Sequence, residues 1–109
     1  MRLGLAAALA LCCAGLLGLP AAAQAPKSWA QTKCERYAAA WSTLVSRRGK
    51  AGLGPDFLAR HDAFIASGCA SPPDVCPRST AELDVANAMV IAAMNGGAAS
   101  TFPPFRCAR

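Results

Sequence analysis

The sequence predicts an all-α protein, a small three-helix up-down-up bundle with an irregular C-terminal tail and two disulfides. Three amphipathic segments, each bounded by helix start and stop signals, predict the helices. Four cysteines that follow an apolar leader predict the disulfides. The Pro103-Pro104 pair prevents a regular helix in the tail, and no segment shows a convincing strand pattern.

The chain of 109 residues begins with a segment typical of an export signal. Arg2 precedes an uncharged run over 3–19, Pro20 breaks that run, and alanines at 21–23 form a small-residue cleavage site. We therefore expect a signal peptide over 1–23 and a single domain over 24–109, exported to the periplasm or secreted. The Ala-rich leader suggests a bacterial protein. An uncleaved anchor is the alternative, although the run is at the short limit for spanning a bilayer.

The first predicted helix covers residues 28–48. Ser28 and Gln31 fit a capping box, in which each side chain covers the free backbone N–H of the other residue. Gly49 ends the helix, and the basic residues around it suit the negative end of the helix dipole. The apolar residues that recur at helical spacing are Cys34, Tyr37, Ala38, Trp41, Leu44 and Val45.

The second predicted helix covers residues 55–67. Pro55 suits the first helical position, because its missing N–H would be unpaired there in any case. Asp56 complements the positive end of the helix dipole, and Gly68 can end the helix. Its predicted core stripe consists of Phe57, Leu58, His61, Phe64 and Ile65.

The third predicted helix covers residues 80–95. Ser79 and Glu82 repeat the capping-box pattern, and Gly96-Gly97 ends the helix. Its predicted core stripe consists of Leu83, Ala86, Asn87, Val90, Ile91 and Met94.

The disulfide pairing can be predicted from the register of the first two helices. A short loop over 50–53 favours an antiparallel hairpin, in which facing residues have numbers that sum to about 103. Cys34 and Cys69 meet this condition, which leaves Cys76 to pair with Cys107. That second bond requires the tail to run back along the bundle, as an extended chain of its length can. The alternative map, Cys69–Cys76 with Cys34–Cys107, stays open at this point.

The single histidine, His61, lies in the apolar stripe of the second helix. A buried imidazole needs a hydrogen-bond partner. If the second and third helices fold about residues 73–74, His61 lies beside Asn87, a polar residue in the stripe of the third helix. We therefore expect a buried polar pair of His61 and Asn87, with Trp41 packed nearby. The alternatives are a ligand pocket or a general base at His61.

The remaining motifs do not favour catalysis or a cofactor. The gaps between the four cysteines are 34, 6 and 30 residues, whereas structural zinc ligands come in tight pairs. The chain lacks the CxxC and CxxCH motifs, and no nucleophile motif surrounds its serines. We expect no metal, no cofactor and no enzymatic activity.

The charge pattern indicates which partners to expect. The net charge is +5, and the basic excess is spread along the chain, which does not indicate nucleic-acid binding. Arg47, Arg48 and Lys50 form one basic cluster at the end of the first helix. Contact of this cluster with an anionic surface is one interpretation, and solvation of the helix end is the other.

In size and general layout the chain resembles the small periplasmic immunity proteins that block secreted toxins, which are also helical and disulfide-bonded. The resemblance is one of architecture and depends on no motif. It favours a small exported non-enzymatic protein that binds or neutralises a partner protein in the periplasm or outside the cell. The alternative is a cationic, membrane-active or toxin-like secreted peptide, which would need an exposed apolar patch beside Arg47, Arg48 and Lys50.

Overall fold

A computed structural model describes residues 25–108. It contains three helices, α1 (Trp29–Arg48), α2 (Pro55–Ala66) and α3 (Thr80–Asn95). The predicted signal segment over 1–23 lies outside the described residues. Within them the chain has no strand, and the only extended pairing is an isolated bridge between Val75 and Phe105. The all-α class, the three helices and the irregular tail are therefore confirmed. No helix of this part is long and apolar enough to cross a membrane.

The helix starts follow from the capping residues. The Ser28 hydroxyl accepts from the Gln31 N–H at 3.1 Å, and the Gln31 side chain accepts from the Ser28 N–H at 2.8 Å. The predicted capping box of α1 is thus complete. At α3 the Ser79 hydroxyl accepts from the Glu82 N–H at 3.1 Å, as predicted.

The Glu82 carboxylate extends beyond its own helix. It accepts from the Arg78 N–H at 2.9 Å and from the Gly54 N–H at 2.8 Å. Because Gly54 caps α2, one buried carboxylate ties the start of α3 to the start of α2. At the same junction Gly52 has φ of +80°, and a Cβ there would lie 2.6 Å from the Ala81 Cβ, so this position requires glycine.

The direction of α3 differs from the prediction. The Ser79 hydroxyl donates to the Gly52 carbonyl at 2.9 Å, so α3 begins beside the α1–α2 loop. Arg36 donates to the Gly96 carbonyl at 2.9 Å, so α3 ends beside the first half of α1. Therefore α3 is antiparallel to α1 and runs in the same direction as α2. The predicted up-down-up order is wrong, and the observed order is up-down-down.

The reason lies in the link over 67–79, for which the sequence predicts a turn about residues 73–74. After a turn over 67–69, residues 70–79 run from the end of α2 back to the α1–α2 loop, and the Arg60 side chain on α2 binds Asp74 among them at 3.1 Å. Prolines at 72, 73 and 77 disfavour helical backbone in this link and are compatible with the extended path. An extended chain rises more than twice as far per residue as a helix, so the segment easily spans α2.

Both predicted disulfides are present, and the alternative pairing is wrong. Cys34 bonds to Cys69 with a Cα–Cα distance of 5.5 Å, and Cys76 bonds to Cys107 with a distance of 4.5 Å. The tail runs parallel to the segment over 67–79 and forms the bridge with Val75, whose N–H donates to the Pro104 carbonyl at 3.0 Å. The tail therefore does run back along the bundle, as the second disulfide requires.

The core lies between α1, α2 and the tail on one side and α3 on the other. Its buried members are Tyr37, Trp41, Leu53, Phe57, Phe64, Val75, Val85, Met89 and Ala93. Two phenylalanines of the tail, Phe102 and Phe105, are partly buried and pack against them. The tail is thus part of the core and closes the open side of α1 and α2.

Candidate functional site

Two features of the fold are candidates for function, a buried polar pair and an exposed apolar surface. The buried pair consists of Tyr37 on α1 and His61 on α2. The Tyr37 hydroxyl lies 2.7 Å from the His61 Nε2, and the His61 side chain has an exposed fraction of 0%. This hydrogen bond joins the two helices in the middle of the core.

Aromatic rings enclose the His61 imidazole. The ring centroid of Trp41 lies 4.1 Å from that of His61. Phe57 and Phe105 lie parallel to the imidazole, with centroid distances of 6.2 Å and 5.7 Å. Because Phe105 belongs to the tail, the polar pair is enclosed only when the tail is docked.

This enclosure sets the protonation of the pair. Burial lowers the pKa of His61 to about 4, against a smaller upward influence of Asp62. Burial also raises the pKa of the Tyr37 hydroxyl. Both groups are therefore neutral at pH 7, and the Tyr37 hydroxyl donates to Nε2.

The neutral imidazole then carries its proton on Nδ1, which has no hydrogen-bond partner within residues 25–108. We assign this tautomer because the other one would leave two polar groups unpaired, the phenol O–H and Nδ1. The arrangement joins two helices but exposes no atom to a substrate. The pair of Tyr37 and His61 is therefore a structural contact between α1 and α2.

The predicted partner of His61 is wrong. Asn87 is exposed on α3, whereas His61 is buried. The error follows from the direction of α3, since the predicted pairing assumed that α2 and α3 are antiparallel. Trp41 does pack against His61, as expected. The α1–α2 register places His61 opposite residue 42, about one and a half helical turns from Tyr37, the partner that was missed.

The second candidate is a surface on α3. The buried residues of α3 are Glu82, Val85, Ala86, Met89 and Ala93. Of the predicted core stripe, only Ala86 is therefore buried. Leu83, Ile91 and Met94 are instead 50%, 60% and 54% exposed. Together with the exposed Asn87 they form one stripe at helical spacing, which we call the α3 face. No charged residue occurs over 85–95, so nothing in that part of the helix makes the surface polar beyond its asparagines.

A groove adjoins the α3 face. It lies between α1 and α3, has a volume of about 280 Å³ and has mostly apolar walls. We call it the α1–α3 groove, and its walls are formed by Ala40, Thr43, Leu44, Arg47, Ala88, Met89 and Ala92. Of the basic cluster at the end of α1, Arg47 lines this groove. Arg48 and Lys50 are exposed nearby in the sequence.

A polar cleft of about 320 Å³ lies beside the Cys76–Cys107 disulfide. Arg60 lines it, and its guanidinium binds Asp56 at 2.9 Å and Asp74 at 3.1 Å. These two acids compensate the charge of Arg60, whereas Arg78 and Arg106, which also line the cleft, form no ion pair within residues 25–108. In the part of the chain that the structure describes, no cluster of three or more histidine, cysteine or acidic side chains could hold a metal ion.

Comparisons with known proteins add no relative. No protein-family description, no curated protein and no solved structure matches this chain. The functional interpretation therefore depends on the surfaces described above.

Proposed function

We propose that this is a small exported, non-enzymatic protein that binds or neutralises a partner protein in the periplasm or outside the cell. The observation that carries the proposal is the α3 face. Three large apolar side chains, Leu83, Ile91 and Met94, are each at least half exposed along a helix that is already packed on its opposite side. Contiguous exposed apolar surface on a small domain is typical of interaction sites.

Other features support the same proposal. The two disulfides suit an oxidising compartment outside the cytoplasm, and the leader over 1–23 has the pattern of an export signal. The only histidine is enclosed in the core, which favours a binding role over general acid–base chemistry. A rigid, cross-linked domain also loses little conformational entropy on binding.

The proposal can be tested by expressing the full chain with a C-terminal tag and isolating it from the cell envelope and the medium. N-terminal sequencing should find residue 24 at the start of the exported protein. Chemical cross-linking in the envelope should capture a partner protein with the unaltered chain. Capture should be lost in Ile91→Lys and kept in Asp62→Lys, which changes an exposed residue on α2. Equal capture by both variants, or retention of the chain in the cytoplasm, would contradict the proposal.

A second candidate function is membrane activity, which one observation favours. Arg47 borders the α1–α3 groove, so a cation lies beside exposed apolar surface, as an interfacial membrane-binding element requires. Binding to anionic vesicles that weakens with salt would support this function. Absence of binding to such vesicles would exclude it.

A further inference from the structure

The α1–α3 groove has an arginine at each end. Arg36, Ala40, Leu44 and Arg47 share one side of α1, because they follow one another at helical spacing. Arg47 lines the groove at the end near the start of α3. Arg36 lies at the other end, where its guanidinium donates to the Gly96 carbonyl. The eleven positions between the two arginines correspond to about 16 Å along the helix axis.

The two arginines are not neutralised within the domain. Among residues 25–108 the ion pairs join Lys27 to Glu35, and Arg60 to Asp56 and Asp74. A separate acid, Glu82, is buried at the helix junction.

Neither Arg36 nor Arg47 forms an ion pair with any of these groups in the described part of the chain. The groove therefore has an apolar floor and positive charge at both ends.

The Arg36 end also offers an aromatic side chain. The Arg36 guanidinium lies over the Trp29 ring, 5.2 Å from its centroid, and Trp29 is half exposed. Trp29 stands against Gly97, at the end of α3 where Met94 is also exposed. Tryptophan and arginine are the side chains that most often dominate binding energy at protein interfaces.

We propose that the α1–α3 groove binds an amphipathic helix of about three turns on the partner protein, with apolar side chains toward the groove and an acidic residue at each end. The inference rests on the proposed partner-binding function and specifies its partner. The two acidic residues lie about eleven positions apart, to match Arg36 and Arg47. Bound in this way, the partner helix completes a four-helix arrangement with α1, α2 and α3.

The shape of the groove favours a helix as the occupant. Ala40, Ala88 and Ala92 contribute to its walls, and small side chains allow helix axes to approach to about 8–10 Å. An added strand would need a free strand edge, and residues 25–108 contain no strand.

A second copy of this chain fits the charges less well. The exposed side of its α3 carries one acidic residue, Asp84, which lies near the helix start. That carboxylate can meet only one of the two arginines at a time. The charge pattern therefore favours a different, acidic partner over self-association.

The direct probe is a pair of synthetic helical peptides. Both peptides carry the same leucine and alanine face, and one has two glutamates spaced as Arg36 and Arg47 are, whereas the other has lysines at those positions. Each is titrated into the isotope-labelled, oxidised full-length protein at pH 7 and low salt, and binding is followed by amide chemical shifts. We expect the glutamate peptide to shift amides of α1 and α3 only, and the lysine peptide to bind at least about tenfold more weakly.

Arg47→Gln and Arg48→Gln form a matched pair of variants, since both residues are exposed at the end of α1 but only Arg47 lines the groove. Arg47→Gln should weaken binding of the glutamate peptide about tenfold, and Arg48→Gln should change it less than about twofold. Both variants should keep the melting temperature of the unaltered protein, which separates a binding effect from a folding effect.

Several outcomes would overturn the inference. They are equal binding of the two peptides, equal effects of the two arginine variants, and amide shifts centred on the cleft beside the Cys76–Cys107 disulfide. A dimer in sedimentation that Ile91→Lys abolishes would assign the surface to a second copy. Binding to anionic vesicles without binding to the glutamate peptide would assign it to a membrane. If cross-linking still captures an Ile91-dependent partner while the peptides fail, the proposed function stands and only the helical, acidic partner is wrong.

Discussion

α2 and α3 both pack on α1, but their solvent-facing sides differ in chemistry. α2 buries Phe57, His61 and Phe64 and exposes Arg60 and Asp62. α3 buries small and aliphatic residues, apart from Glu82, and exposes Leu83, Ile91 and Met94. α2 is therefore an amphipathic helix with a buried apolar side and a polar outer side. Over 85–95, α3 carries no charge on either side, which is why its outer side is the candidate for binding.

The comparison predicts a large difference between equivalent truncations on the two helices. Phe64 is buried between Tyr37 and Phe102, with ring centroids 5.9 Å and 6.1 Å away. Phe64→Ala should therefore lower the free energy of unfolding by about 3–5 kcal/mol, through lost burial and the cavity left behind. Met94→Ala on the α3 face should lower it by less than about 0.5 kcal/mol. Urea unfolding followed by tryptophan fluorescence measures both, and equal losses would contradict the assignment of the two sides.

The buried pair of Tyr37 and His61 predicts a loss of stability as the pH falls from 6.5 to 4. The pKa of His61 is about 4 in the folded protein against 6.5 for an unperturbed histidine, so the unfolded state binds more protons between these values. The contribution of neutral His61 to the free energy of unfolding is therefore complete above pH 6.5. It falls by about 3 kcal/mol as the pH decreases to 4. The free energy of unfolding at pH 7, 5.5 and 4 measures this loss.

The matched control for this prediction removes the pair while keeping its volume. Tyr37→Phe combined with His61→Leu replaces both polar partners by apolar groups, which leaves no buried polar atom unpaired. This double variant should lose the decrease in stability between pH 6.5 and 4. A decrease that persists in the double variant would show that His61 does not cause it.

The helix positions, the disulfides and the core of α1 and α2 could be predicted because their signals are local. Ser28, Pro55 and Ser79 mark helix starts, and the short loop after Gly49 allows only a hairpin, which places Cys34 beside Cys69. In α2 the charged residues mark the exposed side, so Phe57, His61 and Phe64 were correctly predicted to be buried.

The direction of α3 could not be predicted in the same way. A link as long as 67–79 can make a turn or cross the bundle, and its prolines are compatible with both. The Cys76–Cys107 pairing was nevertheless correct, because either path requires the tail to return along the bundle toward Cys76. The observed direction of α3 places Asn87 away from His61, but it requires the same cysteine pairing as the predicted direction.

The predicted core stripe of α3 was wrong for a different reason. Over 85–95 no charge distinguishes one side of the helix from the other, so hydrophobic spacing fits two orientations equally well. The prediction selected the side that is exposed. The buried Glu82 is the residue that reveals the observed orientation, but only the contact with Gly54 explains why a carboxylate is inside.

That contact predicts a smaller effect at the junction of the two helices. Burial raises the pKa of Glu82, but hydrogen bonds from backbone N–H groups, those of Gly54 and Arg78 among them, outweigh it and hold the pKa below its usual value. Glu82→Gln should lower the free energy of unfolding at pH 7 by about 1–3 kcal/mol, because an amide can accept with one oxygen only. The difference between the two proteins should be complete above pH 4.5 and shrink as the pH falls through the lowered pKa.

Asp84→Asn is the control for this prediction, since Asp84 lies two positions further along α3 and is exposed. It should change stability by less than about 0.5 kcal/mol at any pH in this range. A Glu82→Gln protein as stable as the unaltered one would mean that the carboxylate does not join the two helices.

The smallest effects are expected on the α3 face, where Leu83→Gln, Ile91→Gln and Met94→Gln should each change stability by less than about 0.5 kcal/mol. Glutamine keeps high helix propensity, so these substitutions alter the surface and not the helix. Met89→Gln, two positions before Ile91 but 1% exposed, should destabilise the fold by several times that amount. If Ile91→Gln were as costly as Met89→Gln, the face would have to be packed within the folded chain, and it could not be the surface that receives a partner.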